Sequence, residues 1–204
     1  MLKAIIDECT PTIGTKNSAC VDLYASKDVV LKHGRNTLVP LGVTIDIDSF
    51  VKANKEKFEM NFYEANENGD DGSHVGICPE KVEEYLNTHV LELHIRSSLS
   101  AKNNLSIANG TGIIDLDFPK EIQICICNPM VDTDRELREL YDKTSDDEKG
   151  LREFKEKAKD ILFGITIKKG QRIAQIGLVA HETNLLGIKT EEERKDGFGS
   201  TNKK

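Results

Sequence analysis

Apolar residues along this chain fall mostly in short runs, rich in valine and isoleucine and closed by turn residues. The runs are "LKAII", "VDLYA", "NTLVPLGVTIDI", "HVLELHI", "GIIDLDF", "EIQICIC", "ILFGITI" and "RIAQIGLVA". Most have strand length, and the Gly, Asn, Pro and Lys positions between them are turn formers. Strands that follow one another without crossover helices predict an all-β fold, an antiparallel barrel or sandwich of the jelly-roll kind.

Two stretches break the pattern. Residues 48–88 are polar and acidic, with the turn-rich "ENGDDGSH" followed by "CPEKVEEYLNTH". Pro79 suits a first helical position there, and Glu80, Glu83 and Glu84 suit the positive start of a short helix. Residues 132–162 have helical period instead. Leu137, Leu140 and Tyr141 make one stripe, and Leu151, Phe154, Ala158, Ile161 and Leu162 make another. Gly150 and "KTSDD" predict a break between two helices. The expectation is one β domain over residues 1–192 with two inserted, partly helical segments. Residues 193–204 form a polar tail.

Composition narrows the function classes. Of the 204 residues, 31% are charged and 38% hydrophobic, which is a globular balance. A net charge of −7 argues against a general nucleic-acid surface, while leaving room for a local basic pocket that takes one small anion. No apolar run approaches the ~18 residues of a membrane span. The opening "MLKAIIDECT" lacks the charged and apolar regions of a signal peptide. Five cysteines, none in Cys-x-x-Cys spacing, read as free thiols of a cytoplasmic, reducing compartment. Cys125 and Cys127 alternate toward one strand face and are expected in the core. The five histidines show no ligand spacing, which argues against a zinc enzyme.

Several stretches carry candidate chemistry. In "HIRSSLSAKNN", Arg96 closes a strand and Ser97-Ser98 open a turn into a short helix. A guanidinium, two hydroxyls and helix-start N–H groups suit phosphate oxygens, although Ser-Ser taken alone is more often an ordinary helix cap. In "IANGTGIIDLDF", Asn109-Gly110 predicts a hairpin whose glycine-rich tip exposes backbone groups to a nucleobase edge. Asp115 and Asp117 are expected on one face of the strand that follows, with Ile114 and Leu116 on the other. Gln175 stands inside a strand, and Asp22 sits between apolar neighbours, where a carboxylate needs a partner or a cation. Phe198 lies between two glycines in "RKDGFGSTNKK", a stretch too polar to pack.

The order of these pieces is more informative than any one of them. "SACVDLYA", "IRSSLSAK", "NGTGIIDLDF", "GQRIAQ" and "GFGST" resemble, in that sequence, the five motifs of the trimeric dUTP pyrophosphatases (dUTPases), over roughly three fifths of the chain. The resemblance implies a jelly-roll homotrimer that uses Mg²⁺ to hydrolyse dUTP to dUMP and pyrophosphate, with sites built from all three subunits. It implies that Asp115 orients the water attacking the α-phosphorus, and that Arg96, Ser97, Ser98 and Gln175 hold phosphate oxygens. Asp22 would reach the metal through water. Asn109 and the backbone around Gly112 and Ile114 would read uracil, and Phe118, where the family usually has Tyr, would pack under the sugar. The tail would close as a lid, with Phe198 over the base, Gly199, Ser200 and Thr201 at the ligand, and Arg194 or Lys195 on the terminal phosphate. The insertions offer surface for a protein partner.

Three departures stand out. Cys20 replaces a usual glycine, "DFPKE" stands where "DYRGE" is common, and the last motif is one residue short after Arg194. Two rival readings are dCTP deaminase, which shares the fold and "RSS", and a non-catalytic nucleotide-binding protein on the same scaffold. The deaminase needs a glutamate where Cys125 stands, and a thiol is a poor proton shuttle there.

Overall fold

The computed structural model describes residues 1–65, 71–144 and 146–188. In chain order the strands are β1 (Leu2–Ala4), β2 (Thr12–Ile13), β3 (Val21–Tyr24), β4 (Val29–Leu31), β5 (Arg35–Pro40) and β6 (Val43–Ile45). The first insertion then supplies α1 (Ile47–Ala53), α2 (Lys55–Phe58), β7 (Glu59–Ala65), β8 (Asp71–Ile77) and α3 (Pro79–Leu86). The chain returns through β9 (His89–Ile95), α4 (Ser97–Asn103), β10 (Ser106–Ile107), β11 (Gly112–Asp115) and β12 (Gln123–Asn128). The second insertion is α5 (Thr133–Asp142) and α6 (Glu148–Phe163), followed by β13 (Ile165–Ile167) and β14 (Arg172–Ala180).

All strand pairings among the described residues are antiparallel. The larger sheet has the order β11-β9-β14-β3-β2, and a second sheet runs β10-β12-β5. Inward residues of the first, Leu23, Leu93, Ala174 and Ile176, meet Val39, Ile124 and Ile126 of the second in one buried cluster. This is the jelly-roll β fold that the short apolar runs predict. No helix among the described residues is long and apolar enough to cross a membrane.

Two expectations about the β core need correcting. Asn109-Gly110 is a turn, with Gly110 at φ +77°, but not a hairpin. β10 pairs with β12 and β11 pairs with β9, so the turn carries the chain from one sheet to the other. The local chemistry specifies the reversal, while Ala108 N–H donates to Cys125 carbonyl and commits the first flank to β12. Second, Cys125 and Cys127 do share a face of β12, yet the core face belongs to Ile124, Ile126 and Asn128. Isoleucine hides more apolar area than cysteine, so the alternation settles that way round.

Both insertions are tied to this core. In the first, the rings of Phe50, Phe58 and Tyr85 form a triangle with centroids 5.4–5.9 Å apart, and Tyr85 packs on the core and stacks on His89 at 3.9 Å. Pro79 opens α3 as expected. β7 and β8 pair only with each other. In the second, Tyr141 meets Phe154 edge-on across α5 and α6. The break falls before Gly150, which lies buried inside α6. Asp147 accepts the Gly150 N–H at 2.7 Å and caps the helix there. That cap starts α6 early enough to absorb the ~1 kcal/mol cost of glycine in a helix.

α6 is locked down at its other end. His33 Nε2 lies 2.9 Å from the Asp160 carbonyl oxygen, donating one hydrogen bond to the last turn. Gly164 then adopts φ +94°, and a Cβ there would overlap the Leu31 carbonyl oxygen. Replacing Gly164 with Ala should therefore cost about 2–3 kcal/mol from the disallowed backbone and the clash together. Urea unfolding checks this, and an unchanged midpoint would mean that the junction relaxes freely.

Candidate active site

Residues directly opposite one another in an antiparallel sheet share a face. Gln175 on β14 lies opposite His94 on β9 and Asp22 on β3, and Asp22 lies opposite Thr12 on β2. These four residues form a row across the outer face of the larger sheet, since Leu23, Ala174 and Ile176 take the inner one. His94 adds an ion-pair contact to Glu92, at 3.5 Å, when its ring is protonated.

Asp22 is the buried member, at 8% exposure. Its Oδ2 accepts from Arg172 Nη1 at 3.0 Å, and its Oδ1 lies 3.3 Å from Arg96 Nε. The loop before β3 passes over it: a Cβ on Gly14 would sit 3.7 Å from Asp22 Oδ2 and 3.6 Å from Ser18 Oγ. Cys20, in that same loop, adopts no left-handed conformation; Asn104 is the only non-glycine with positive φ among the described residues. Its cysteine therefore imposes no backbone strain where glycine is usual.

Arg96 is extended, at φ −66° and ψ 137°, and caps α4. Its N–H donates to Ile173 carbonyl, its carbonyl accepts from Leu99 N–H, and Leu99 is buried. Ser97 and Ser98 are thereby held, exposed, in the first turn beside the guanidinium. The local sequence does this simply, because an apolar strand end and one buried leucine fix both sides of two polar residues.

A separate pocket of about 210 Å³ opens at the turn between the sheets. Asn109, Gly112, Ile114 and Phe118 line it, and Gln123 and Cys125 of β12 close another side. Gly112 permits the close approach of β11 to β9, since a Cβ would lie 3.1 Å from Leu93 Cβ. Phe118 is brought back by a turn in which its N–H donates to the Asp115 carbonyl at 3.1 Å. That turn also ends β11, so Asp115 is the last strand residue and Asp117 lies exposed on the turn, not beside Asp115 on the strand. Burial and the neighbouring Cys127 push the Cys125 thiol above its ordinary range.

Asp115 pairs with Val90, near the start of β9, whereas Arg96 follows its end. Six residues of strand separate the two positions, about 20 Å. One chain thus brings Asp22, Arg96 and Gln175 together, with Ser97 and Ser98 beside them, and gathers Asn109, Gly112, Ile114 and Phe118 elsewhere. It does not bring Asp115 to Arg96. Arg194, Lys195, Phe198, Gly199, Ser200 and Thr201 lie outside the described residues.

Sequence reasoning missed Arg172 and His94 as members of the row. His94 was accessible, being two residues before Arg96 on the same strand face. Among the described residues no group of three or more His, Cys, Asp or Glu is placed to hold a metal ion.

No family model matches the chain. It is similar to the deoxyuridine 5'-triphosphate nucleotidohydrolase of Mycolicibacterium gilvum, with 29% identity over 69% of this chain and 77% of the relative. It is also similar to that of Corynebacterium glutamicum, with 26% identity over 95% and 87%. Among solved structures, a single-site mutant of the Staphylococcus bacteriophage 80alpha dUTPase with dUpNHpp shares the fold at a TM-score of 0.50. There the identity is 18%, over 100% of this chain and 94% of that one. A dUTPase from phage phi11 of S. aureus, solved to visualise a species-specific insert, also gives 0.50, at 18% identity over 98% and 97%.

The thiol shift has a measurable result. At neutral pH Cys125 should react with iodoacetamide more slowly than an exposed free thiol, because the thiolate is the nucleophile. Mass spectrometry of the native protein checks this, and labelling of Cys125 as fast as of a model thiol would contradict the burial.

Proposed function

This chain belongs to the dUTPase family, and on that premise we propose that it hydrolyses dUTP to dUMP and pyrophosphate. The observation that carries the proposal is the pocket: Asn109, Gly112, Ile114 and Phe118, chosen from the sequence for base and sugar contacts, line one cavity. Its lining of apolar side chains with the Asn109 amide and nearby backbone suits a flat heterocycle. Asn109 and the backbone near Gly112 and Ile114 then pair with the uracil edge, and Phe118 packs against the sugar.

The reaction is an in-line displacement. The Asp115 carboxylate accepts a hydrogen bond from the attacking water and orients it toward the α-phosphorus. As the new P–O bond forms, the water passes a proton to the Asp115 carboxylate, the bond from the α-phosphorus to the bridging oxygen breaks, and pyrophosphate leaves with the charge. Arg96, the Ser97 and Ser98 groups at the start of α4, and the Gln175 amide hold the phosphate oxygens where that charge develops. The ligand contacts expected of Phe198, Gly199, Ser200 and Thr201, and of Arg194 or Lys195 at the last phosphate, fall outside the described residues.

The residues fit a Mg²⁺ ion only as one carried mainly by the substrate phosphates. Both Asp22 oxygens already face guanidinium groups, and Mg²⁺ keeps several waters and leans on phosphates in such sites. A carboxylate offers about four lone-pair sites, so Asp22 retains room to hold such an ion through water. When bound, the ion would neutralise phosphate charge.

The active unit we propose is a homotrimer, in the cytoplasm, where the five free thiols persist. The ~20 Å along β9 between the Asp115 and Arg96 positions supports sites shared between subunits. Exposed Ile113, Leu178 and Val179 near Asp115 offer apolar contact surface.

The purified protein with Mg²⁺ should release pyrophosphate from dUTP and no ammonia from dCTP. Ammonia would restore the deaminase reading, and no product from either would leave a binding protein. Asp115→Asn should lower kcat by about 10²–10⁴-fold. Arg96→Ala should also be nearly inactive, and co-refolding it with Asp115→Asn subunits should regain activity, because mixed trimers hold one site with both groups intact. Persistent inactivity of the refolded mixture would overturn the shared site.

A further inference from the structure

We propose that the base pocket admits cytosine as well as uracil, so that this chain also releases pyrophosphate from dCTP, and that Gln123 and Cys125 are the residues that permit it. The inference rests on the hydrolase reading above. Its ground is the polarity of the pocket wall. Gln123 and Cys125 alternate with the buried Ile124 and Ile126 along β12, so they share the outer face of that strand and close one side of the cavity. Asn109 stands on the turn that lines another side. The remaining lining residues are apolar, and none carries a charge. Two amides and a thiol are thus the side chains in this lining that can read the edge of a base.

Uracil and cytosine have nearly the same shape and share the O2 carbonyl. They differ at two neighbouring positions: uracil presents an O4 acceptor and an N3–H donor, cytosine an N4 amine and an N3 acceptor. A site of fixed donors and acceptors rejects the wrong base because its own polar groups are left unpaired, a loss that can reach about 10⁴–10⁵-fold. A side-chain amide is not fixed in that sense. It carries an acceptor oxygen and a two-donor nitrogen on one planar group, and its last torsion is broad and roughly two-fold. One setting matches uracil and the other matches cytosine. No side-chain hydrogen bond among the described residues holds the Asn109 or Gln123 amide one way round. Asn128, also on β12, shows the contrast: its Nδ2 donates to the Leu31 carbonyl at 2.7 Å, which sets its orientation. Cys125 behaves like the free amides, since a thiol is both a weak donor and a weak acceptor, and burial keeps it uncharged. The fixed polar groups of the pocket are those of the backbone. β11 is the edge strand of its sheet and can direct one of them to O2, which both bases have.

With dCTP the bonds change as they do with dUTP. Water adds to the α-phosphorus, the bond to the bridging oxygen breaks, dCMP and pyrophosphate form, and the ring amine is untouched. Pyrophosphate release by the purified protein with Mg²⁺, measured over a range of each nucleotide, tests this. In the wild type kcat/KM should fall by no more than about 100-fold from dUTP to dCTP, without ammonia, and Asp115→Asn should suppress both reactions. In Gln123→Glu the ionised carboxylate is an acceptor only, so it opposes O4 and accepts from the cytosine amine. The ratio should then move toward dCTP by about tenfold or more. A larger wild-type ratio, or turnover of dUTP alone, would overturn the proposal and leave the hydrolase reading standing. Turnover of dCTP that survives Asp115→Asn would belong to a contaminating phosphatase and would count against it equally. An unmoved ratio in Gln123→Glu would remove Gln123 from the reading set, and the wild-type ratio decides the matter should that variant fail to fold. Absence of turnover with dUTP itself would bring down the hydrolase reading and this inference with it.

Discussion

The register of β14 is the constraint on which the rest of the site depends. This strand runs between β9 and β3, and its pairings set which residues of three strands share a row. A slip of one residue would send every outward side chain into the core and every core side chain out. Ile173, Ala174 and Ile176, all buried, resist that slip. The same burial that stabilises the sheet therefore fixes Gln175 against Asp22 and His94. The bulge in β14 between Arg172 and Ala174 is tolerated because it lies at the strand's start, outside the stretch whose pairing with β9 runs from Ala174 to Ala180.

Much of this architecture is legible in the sequence, and the exceptions have a common cause. Strand positions follow from alternation, which is local. Which face of a strand is buried is not local when both faces are apolar, as in "QICICN", and there the larger isoleucines prevail over the cysteines. Likewise the Asn109-Gly110 turn is written in two residues, but its flanks choose partners far along the chain. The Asp115 and Phe118 positions are marked by their motif, whereas the turn that separates Asp117 from the strand depends on a backbone hydrogen bond. Arg172 was hidden for the opposite reason. Simple alternation places it on the wrong face, and only the bulge corrects the parity.

The insertions occupy places that the core leaves open. Tyr85 and His89 fasten the first one at the start of β9, the same end of the sheet at which Asp115 pairs with Val90. The second approaches the opposite end. Its residues Leu140 and Ile161 face a cleft of about 320 Å³ shared with Lys102 and Asn103, at the far end of α4 from Ser97. Neither contact is made by the Asp22 row. The first insertion thus buttresses β9, whose far end leads into Arg96, and the second borders the end of α4 across the cleft. Chain length can be added at β6–β9 and at β12–β13 without crossing the Asp22 row, because both junctions are closed locally, one by the aromatic triangle and the other by His33 and Gly164. A helix docked through Gly164 against the Leu31 backbone has little freedom to swing toward α4, so the cleft between them is a feature of the folded core and not of a loosely tethered arm.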